Sequence, residues 1–510
     1  MTRWIALFPE AALGVTALLI FAALMTDRQR TWRARAAAFT GGALVLAASL
    51  LTLGRSEEFF WATYRVDAFS QLVKVGVAAG FLLSAAIVKD GAGQREDARA
   101  EIFFFLLTSA AGLVALASAV ELVSLYLSLE IASFSLFVLV PLRDRFELGR
   151  EAALKFLVVG LAASAVTLFG LSLVVGFTGT TRIDEIALQL PGLASQPAAV
   201  FGFALFLSGL LFKLAVFPFH FWAPDVYQGA SHGVAAFVAT ASKVGAIAVL
   251  ARLLTALALT GTQLITVLAV LAAVSMTLGN LVAIVQRDLK RMLAYSAIAQ
   301  AGYVIVGLVA FTPDGTTAAL FYGLLYLLMN SAAFLVVARV AADGSNPTLD
   351  DLRGLHRRSP LLAATLLLAL FALAGVPPTA GFVGKWFLFS AAMSQGWWFL
   401  VLLGAVTAGR LERIREGALL KTLGATRRQL TRILLAEYTS LGLLAGLVGI
   451  GLAAAGGWAM VHWVFDLTFA LPALPLLGVL AITAALVAVV GIAASREVFR
   501  RTAMEVLREP

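Results

Sequence analysis

Four charged side chains stand near the middle of long apolar runs: Glu130, Lys213, Lys243 and Lys385. An ionisable group at the centre of a bilayer costs roughly 2.5–3.5 kcal/mol, so four unpaired groups cost on the order of 10 kcal/mol. Burial favours the neutral form of a lysine and a nearby carboxylate favours its charged form, so moving the carboxylate moves a proton. The four residues therefore predict a buried proton relay.

A structural explanation of these charges stays open. A glutamate–lysine pair can hold two helices together, and a long lysine side chain can reach the membrane surface with its amine. Lys74 and Lys155 lie nearer the ends of their runs, where either explanation applies. His220 stands beside an interrupted run, where it could pass protons at physiological pH or only make a loop hydrogen bond.

Transmembrane helices must position these side chains. The chain has 510 residues, of which 61% are hydrophobic and only 13% are charged, so lipid is its solvent. Because about 20 apolar residues cross a bilayer, the sequence predicts an all-α, polytopic integral membrane protein with about fifteen transmembrane helices. The apolar runs are 4–25, 36–53, 68–88, 101–120, 122–140, 152–177, 198–217, 233–258, 262–285, 292–311, 315–341, 361–392, 397–409, 433–458 and 473–494.

Proline and glycine interrupt two of these runs, one between Phe212 and Pro218 and the other between Ala374 and Gly381. A break frees backbone groups that lipid cannot satisfy, so it survives where protein or a water-filled cavity surrounds it. Broken helices in corresponding halves of a chain indicate inverted repeats and a transport path. Lys213 and Lys385 adjoin the two breaks.

The basic residues fall in loops that share one side of the membrane if each run crosses once. By the positive-inside rule this side is the cytoplasm, which places the N-terminus outside and the C-terminus in the cytoplasm. The net charge of +9 then needs no nucleic acid partner. The basic segments are 27–35, 141–151, 286–291, 339–358, 410–432 and 496–508.

The sequence predicts no cofactor or metal on this chain. It contains no cysteine, which excludes disulfides, zinc–thiolate sites and iron–sulfur clusters. No two of its four histidines stand three or four residues apart, so a metal or haem site has no local support. The string from Gly381 to Trp386 lacks the spacing of a phosphate-binding loop.

Four long stretches resemble the antiporter-like, proton-pumping subunit N family of respiratory complex I (NADH-quinone oxidoreductase). The resemblance covers about residues 1–395. The stretches are LYLSLEIASFSLFVLVPL at 125–142, FKLAVFPFHFWAPDVYQGASHGVAAFVATASK at 212–243, QRDLKRMLAYSAIAQAGY at 286–303 and AGVPPTAGFVGKWFLFSA at 374–391.

This resemblance implies two inverted repeats, with Glu130 and Lys213 as the pair of the first, Lys243 as the central relay and Lys385 as the lysine of the second broken helix. It implies a subunit of a proton-pumping NADH-quinone oxidoreductase in the bacterial inner membrane, surrounded by lipid and by other membrane subunits of complex I. NADH, flavin, iron–sulfur clusters and quinone are expected on partner subunits. A subunit of a multisubunit cation/proton antiporter or of a membrane-bound hydrogenase is the alternative.

From residue 409 the sequence departs from that family. It reads GRLERIREGALLKTLGATRRQLTRILLAEYTSLGLLAG and resembles the C-terminal part of an FtsX-like ABC transporter permease. This resemblance implies contact with an ABC ATPase at 410–430, and it makes an ABC permease a further alternative function. A plain basic amphipathic surface helix would explain the charges alone.

The predicted units are N-terminal transmembrane helices at 1–100, an antiporter-like proton-translocation domain at 101–395 and an FtsX-like permease segment at 396–510. The seam is expected between 393 and 409. A natural fusion and a joining of two unrelated reading frames both explain it, and the second is favoured because neither half is complete. We expect Lys385 to lose one wall of its channel, since the segment after Gly396 offers only Thr407 as a polar side chain.

Overall fold

The computed structural model describes most of the chain up to residue 408. The predicted surface helix at 410–430 and the predicted crossings at 433–458 and 473–494 lie almost entirely outside the described residues. The described residues are 2–26, 31–88, 99–143, 147–193, 196–257, 263–377 and 379–408, with isolated positions between 428 and 489.

Helices make up nearly all of the described structure, with one short antiparallel hairpin of strands β1 (Glu57–Phe59) and β2 (Tyr64–Val66). The α-helices are α1 Phe8–Thr26, α2 Thr31–Leu51, α3 Ala68–Ile87, α4 Arg99–Ser118, α5 Leu122–Leu139, α6 Glu147–Thr178, α7 Ile183–Leu193, α8 Pro197–Leu214, α9 Trp222–Gly229, α10 His232–Ala239, α11 Ala241–Leu257, α12 Gln263–Ile284, α13 Leu289–Leu308, α14 Pro313–Val340, α15 Leu355–Arg358, α16 Pro360–Ala374, α17 Ala380–Ser394 and α18 Trp398–Val406. Short 3-10 helices cover Thr2–Leu7, Val140–Leu142 and Asp350–Leu352.

The all-α, polytopic fold is confirmed. Within the described residues, 11 segments are long and apolar enough to cross a membrane, and they correspond one by one to the predicted runs from 4–25 to 315–341. The run at 361–392 is two short helices, α16 and α17, on either side of the second break. The run at 397–409 contains only α18.

One helix boundary was not predicted. The run at 233–258 reads as continuous, but Thr240 leaves the helical conformation (φ −119°, ψ −86°) and separates α10 from α11. The Thr240 hydroxyl donates to the carbonyl of Ala236 at 2.6 Å, a local bond that competes with the helical ladder and bends helices. Lys243 therefore lies in the first turn of α11.

Close contacts at glycines bring together the helices that carry and surround the candidate residues. A Cβ atom added at Gly112 of α4 would lie 2.5 Å from the backbone nitrogen of Ala132 in α5, and one added at Gly170 of α6 would lie 2.3 Å from the nitrogen of Phe206 in α8. Small residues allow such close approach, which packs helices tightly in lipid. Every residue from His232 to Ala251, which includes α10 and the first half of α11, is buried.

Both predicted helix breaks are present. Helix α8 ends at Leu214 because Ala215 turns left-handed (φ 59°), and α9 begins seven residues later at Trp222. Helix α16 ends at Ala374 because Gly375 turns left-handed (φ 81°). Each left-handed residue leaves the last carbonyls of its helix without the amides that would continue the ladder.

Candidate functional site

At the first break, Lys243 supplies the missing donor. Its Nζ donates to the carbonyl of Leu214, the last residue of α8, at 2.7 Å and to the carbonyl of Ala297 in α13 at 3.4 Å. The side chain is only 2% exposed. A buried ammonium is therefore held by backbone oxygens that the break itself makes available.

Two further side chains form hydrogen bonds with the backbone at the first break. The indole Nε1 of Trp222 donates to the carbonyl of Phe212 at 3.0 Å. The backbone nitrogen of Phe217 donates to the hydroxyl of Ser275 in α12, also at 3.0 Å. Irregular backbone inside the bundle is thus satisfied by protein groups, as lipid-embedded structure requires.

Lys213 lies on α8 beside this break but faces α5. Its Nζ donates to the hydroxyl of Ser133 at 3.0 Å, and Ser133 stands one helical turn beyond Glu130. Glu130 Oε1 accepts from Ser164 of α6 at 2.7 Å, whereas its buried Oε2 has no partner among the described residues.

The predicted Glu130–Lys213 pair is not in direct contact. Their opposite charges attract across the interface between α5 and α8, but no nitrogen–oxygen pair lies within 4.0 Å. Ser133 holds the lysine in its place. Contact between the two through one water stays a prediction.

At the second break, the lysine comes from the broken helix itself. Lys385 of α17 donates from Nζ to the carbonyl of Ala374, the last residue of α16, at 3.0 Å. Its Nζ also lies 4.4 Å from the centre of the Tyr303 ring, a cation–π distance. The carbonyl of Leu373 accepts from Gln300 of α13 at 3.0 Å, and Gln300 accepts from the hydroxyl of Tyr322.

Lys385 is not left exposed beside the seam, since its side chain is only 4% exposed, and the loss of one wall of its channel stays a prediction. Its amine folds back onto the end of α16 and so remains covered. A cavity of about 340 Å³ does lie beside it, with Val401 and Ala405 of α18 on its lining and an otherwise mostly apolar surface.

His220 lies in the turn that follows the first break. It is 5% exposed and stands between aromatic side chains, with ring centres 5.7 Å from Phe217 and 4.4 Å from Phe221. Its Nδ1 is buried without a partner in the described part of the chain. A role for His220 in proton transfer stays a prediction.

Sequence reasoning missed the buried cations at the end of the bundle that carries the basic loops. Arg143 donates to the carbonyls of Gln228 at 2.7 Å and Gly344 at 2.6 Å, and Lys290 donates to the carbonyl of Ala230 at 2.5 Å. Their positions in basic loops suggested solvation, and nothing local distinguishes a buried cation from an exposed one. Together they anchor the loop between α9 and α10.

Asp225 fixes the helix that follows the first break. It accepts from Lys155 at 2.9 Å and from Arg291 at 2.6 Å, linking α9 to α6 and α13. Burial raises the pKa of Asp225, but the hydrogen bonds from these two cations outweigh burial and hold the pKa below its ordinary value. The carboxylate therefore stays charged at neutral pH, and α9 stays anchored.

Known proteins resemble this chain in sequence and fold. A family model described as NADH:quinone oxidoreductase/Mrp antiporter, transmembrane, matches residues 119–410. A second model, described as FtsX-like permease C-terminal, matches residues 388–503, and the two overlap where the sequence predicts the seam. The resemblance of this C-terminal segment to a permease rests on that second match.

Individual relatives extend the first match toward the N-terminus. The chain is 47% identical over 404 residues to NADH-quinone oxidoreductase subunit N 2 of Syntrophobacter fumaroxidans, covering 79% of this chain and 86% of that relative. A chain of respiratory complex I from Thermus thermophilus superposes with a TM-score of 0.72 at 34% identity, covering 82% of this chain and 90% of that one. A chain of the Mrp complex from Dietzia sp. superposes with a TM-score of 0.74 at 25% identity, covering 83% and 80%.

The fold and its two lysine-capped breaks define a polytopic membrane protein of the antiporter-like class. The chain belongs to the NADH:quinone oxidoreductase/Mrp antiporter transmembrane family.

Proposed function

We propose that the chain is a membrane subunit of a proton-pumping NADH-quinone oxidoreductase and that it moves protons through Glu130, Lys213, Lys243 and Lys385. The observation that carries the proposal is the bond from Lys243 to the free carbonyl of Leu214. A fully buried cation at a helix break has no packing role that leucine could not fill, and intramembrane charges mark proton and ion paths.

The break makes the protonation of Lys243 sensitive to conformation. While the carbonyl of Leu214 lies at 2.7 Å, the ammonium form is stabilised. If α8 and α11 move apart, the ammonium loses that oxygen in a low-dielectric environment and releases its proton. Lys213 is placed to respond in the same way to Ser133 and Glu130 on α5.

Redox chemistry belongs to other subunits in this proposal. NADH, flavin, iron–sulfur clusters and quinone are bound by partners, and the absence of cysteine from the sequence is consistent with that division. The partners of this chain are other membrane subunits and the lipid of the bacterial inner membrane. The basic loops support a cytoplasmic C-terminus and an outside N-terminus.

The proposed division of the chain is 1–100 for the N-terminal helices, 101–395 for proton translocation and 396–510 for the permease-like segment. Contact of 410–430 with an ABC ATPase and function as an ABC permease stay predictions. A natural fusion and a joining of two reading frames stay alternative explanations of the seam.

A second candidate is a subunit of a multisubunit cation/proton antiporter, which the superposition on the Mrp complex chain supports. The higher identity to subunit N, 47% against 25%, favours the oxidoreductase. Purification separates the two candidates, because a complex I subunit copurifies with NADH-quinone reductase activity and an antiporter subunit with cation-driven proton exchange.

Lys243→Ala in the assembled complex tests the proposal. We expect proton translocation coupled to quinone reduction in inverted membrane vesicles to fall about tenfold or more, as for loss of an essential proton-transfer group. Arg353→Ala is the control, since Arg353 lies in an exposed loop with Asp350. Full translocation by the Lys243 variant at normal assembly would overturn the proposal.

A further inference from the structure

A second cluster of buried charge lies at the end of the bundle opposite the basic loops. Lys74 of α3 is fully buried, and its Nζ donates to Oε1 of Glu10 in α1 at 2.6 Å. The hydroxyl of Tyr64 donates to the same oxygen at 2.6 Å. Lys74 therefore does not reach the membrane surface, which answers the question that its sequence position left open.

The other carboxylate oxygen of this cluster is unused. Glu10 Oε2 is buried and has no hydrogen-bond partner among the described residues. Burying a carboxylate oxygen without a donor is costly, so Oε2 is the oxygen of the cluster that is open to a further donor. Burial, and then the charge of Glu10, hold the pKa of Tyr64 well above its ordinary value, so the phenol stays a hydrogen-bond donor.

The cluster continues a series of charges along α3 and α11, which run antiparallel. A Cβ added at Gly80 would lie 2.8 Å from Ala241, and one added at Gly76 would lie 3.4 Å from Val244. At a rise of 1.5 Å per residue, Lys74 stands about 6 Å nearer that end of the bundle than Lys243 does.

The series ends at an open cavity. About 10 Å beyond Lys74 along α3, by the same helical rise, Asp67 accepts two hydrogen bonds from Arg252, at 2.7 and 2.9 Å. This ion pair lines a cavity of about 470 Å³, together with Arg65, Arg182 and Thr316. Arg65 follows Tyr64 directly, so strand β2 carries one residue of the cluster and one residue of the cavity lining.

We propose that Glu10, Tyr64 and Lys74 form a second proton-binding site, from which protons reach the outer surface through the cavity at Asp67 and Arg252. The proposal rests on the proposed proton translocation. A proton carried by water from the side of Lys243 bonds to Oε2 of Glu10 and makes a neutral carboxyl group. It then leaves to a water in the cavity as hydronium, which restores the carboxylate. Lys74 and Tyr64 keep their own protons and stabilise that carboxylate.

The alternative is a structural clamp between α1 and α3, and two substitutions of Glu10 separate the two explanations. Glu10→Gln keeps the length and an accepting oxygen but cannot be protonated, whereas Glu10→Asp is shorter but titrates. A proton site predicts that the Gln variant loses proton translocation by about tenfold to a hundredfold while the Asp variant retains more. A clamp predicts that translocation per assembled complex stays normal in both variants, because a clamp acts on folding and assembly and not on proton transfer.

The measurement is proton translocation per quinone reduced in inverted vesicles, normalised to assembled complex on native gels. Glu57→Gln is the matched control, since Glu57 lies at the same end in an exposed pair with Arg3. Loss with Glu10→Gln, partial rescue by Glu10→Asp and loss with Lys243→Ala support the inference. Normal translocation by Glu10→Gln beside a defective Lys243→Ala overturns the second site alone, and normal translocation by both overturns the proposed function as well.

Discussion

At the first break, the last carbonyl of α8 accepts a hydrogen bond from a lysine of another helix, Lys243 of α11. At the second break, the last carbonyl of α16 accepts from Lys385 of α17, which is the other half of the same broken helix. The first break also has its own lysine, Lys213, but that side chain is directed to α5.

The last carbonyl of the first broken helix is therefore capped from another helix, whereas that of the second is capped from within the broken helix itself. Relative movement of α5, α8 or α11 changes the contacts of Lys213 and Lys243 directly. Lys385 is held within its own broken helix and against Tyr303, so movement of the neighbouring helices changes its main carbonyl contact less.

The backbone of the two breaks differs as well. The second turns at Gly375 and closes at Gly381, where α17 passes against the end of α16. The first turns at Ala215, which carries a side chain at φ 59°. A left-handed residue other than glycine is strained by roughly 1–2 kcal/mol, so the first break holds strain that the second avoids.

The largest expected effect comes from adding a methyl group at the second break, where α17 packs against the end of α16. In Gly381→Ala the added methyl group would lie 1.6 Å from the carbonyl oxygen of Ala372, so α16 and α17 must separate. We expect a loss of more than about 4 kcal/mol in the free energy of unfolding, which thermal unfolding in detergent would measure. Gly14→Ala is the control, because nothing lies within 4 Å of its added methyl. Unchanged unfolding of Gly381→Ala would contradict this packing.

The second prediction tests whether Lys213, beside the first break, is energetically coupled to Glu130 of α5. Glu130→Gln and Lys213→Met should be non-additive in their effects on proton translocation, with a coupling of about 1 kcal/mol or more. Glu130→Gln and Lys385→Met should add within about 0.5 kcal/mol, since they belong to different breaks. The measurement is a double-mutant cycle on translocation rates. Equal coupling in the two cycles would remove the distinction between the breaks.

The third prediction compares two side chains that donate to backbone carbonyls in the last turns of α8 and α16. Trp222→Phe removes the indole donor of the Phe212 carbonyl, which still accepts from the backbone nitrogen of Ala215 at 2.9 Å. Gln300→Leu removes the side-chain donor of the Leu373 carbonyl. Each should lower the free energy of unfolding by about 1–3 kcal/mol. Gln300→Leu should cost more, because Tyr322 also loses its acceptor. Chemical denaturation measures both, and Trp398→Phe at an exposed position is the control. A smaller cost for Gln300→Leu would show that Tyr322 finds another partner.

The smallest effect concerns backbone strain. Ala215→Gly should raise the free energy of unfolding by up to about 1 kcal/mol, because glycine adopts the left-handed conformation without strain. Gly375→Ala should lower it by about the same amount. The same denaturation assay ranks the pair, and destabilisation by Ala215→Gly would mean that the methyl group packs more favourably than the strain costs.

Much of the fold follows from local pattern. Apolar runs predicted the described spans, and proline and glycine predicted both breaks, because crossing the bilayer depends on the length and composition of one segment. The division at Thr240 was missed, since threonine bends a helix only when its hydroxyl bonds back to the carbonyl four residues before it. The candidate residues Lys213, Lys243 and Lys385 were singled out by a local criterion too, namely charge inside an apolar run, and all three are buried.

The sequence by itself determined which segments are helical and buried in lipid and where charge interrupts them. Only the tertiary structure decided that Lys243 meets Leu214, that Ser133 holds Lys213 near Glu130, and that Lys74 pairs with Glu10. These partners lie 29, 80 and 64 residues apart along the chain. Hydropathy is summed over one segment at a time, whereas the oxygen that a buried lysine reaches depends on how helices from distant segments pack.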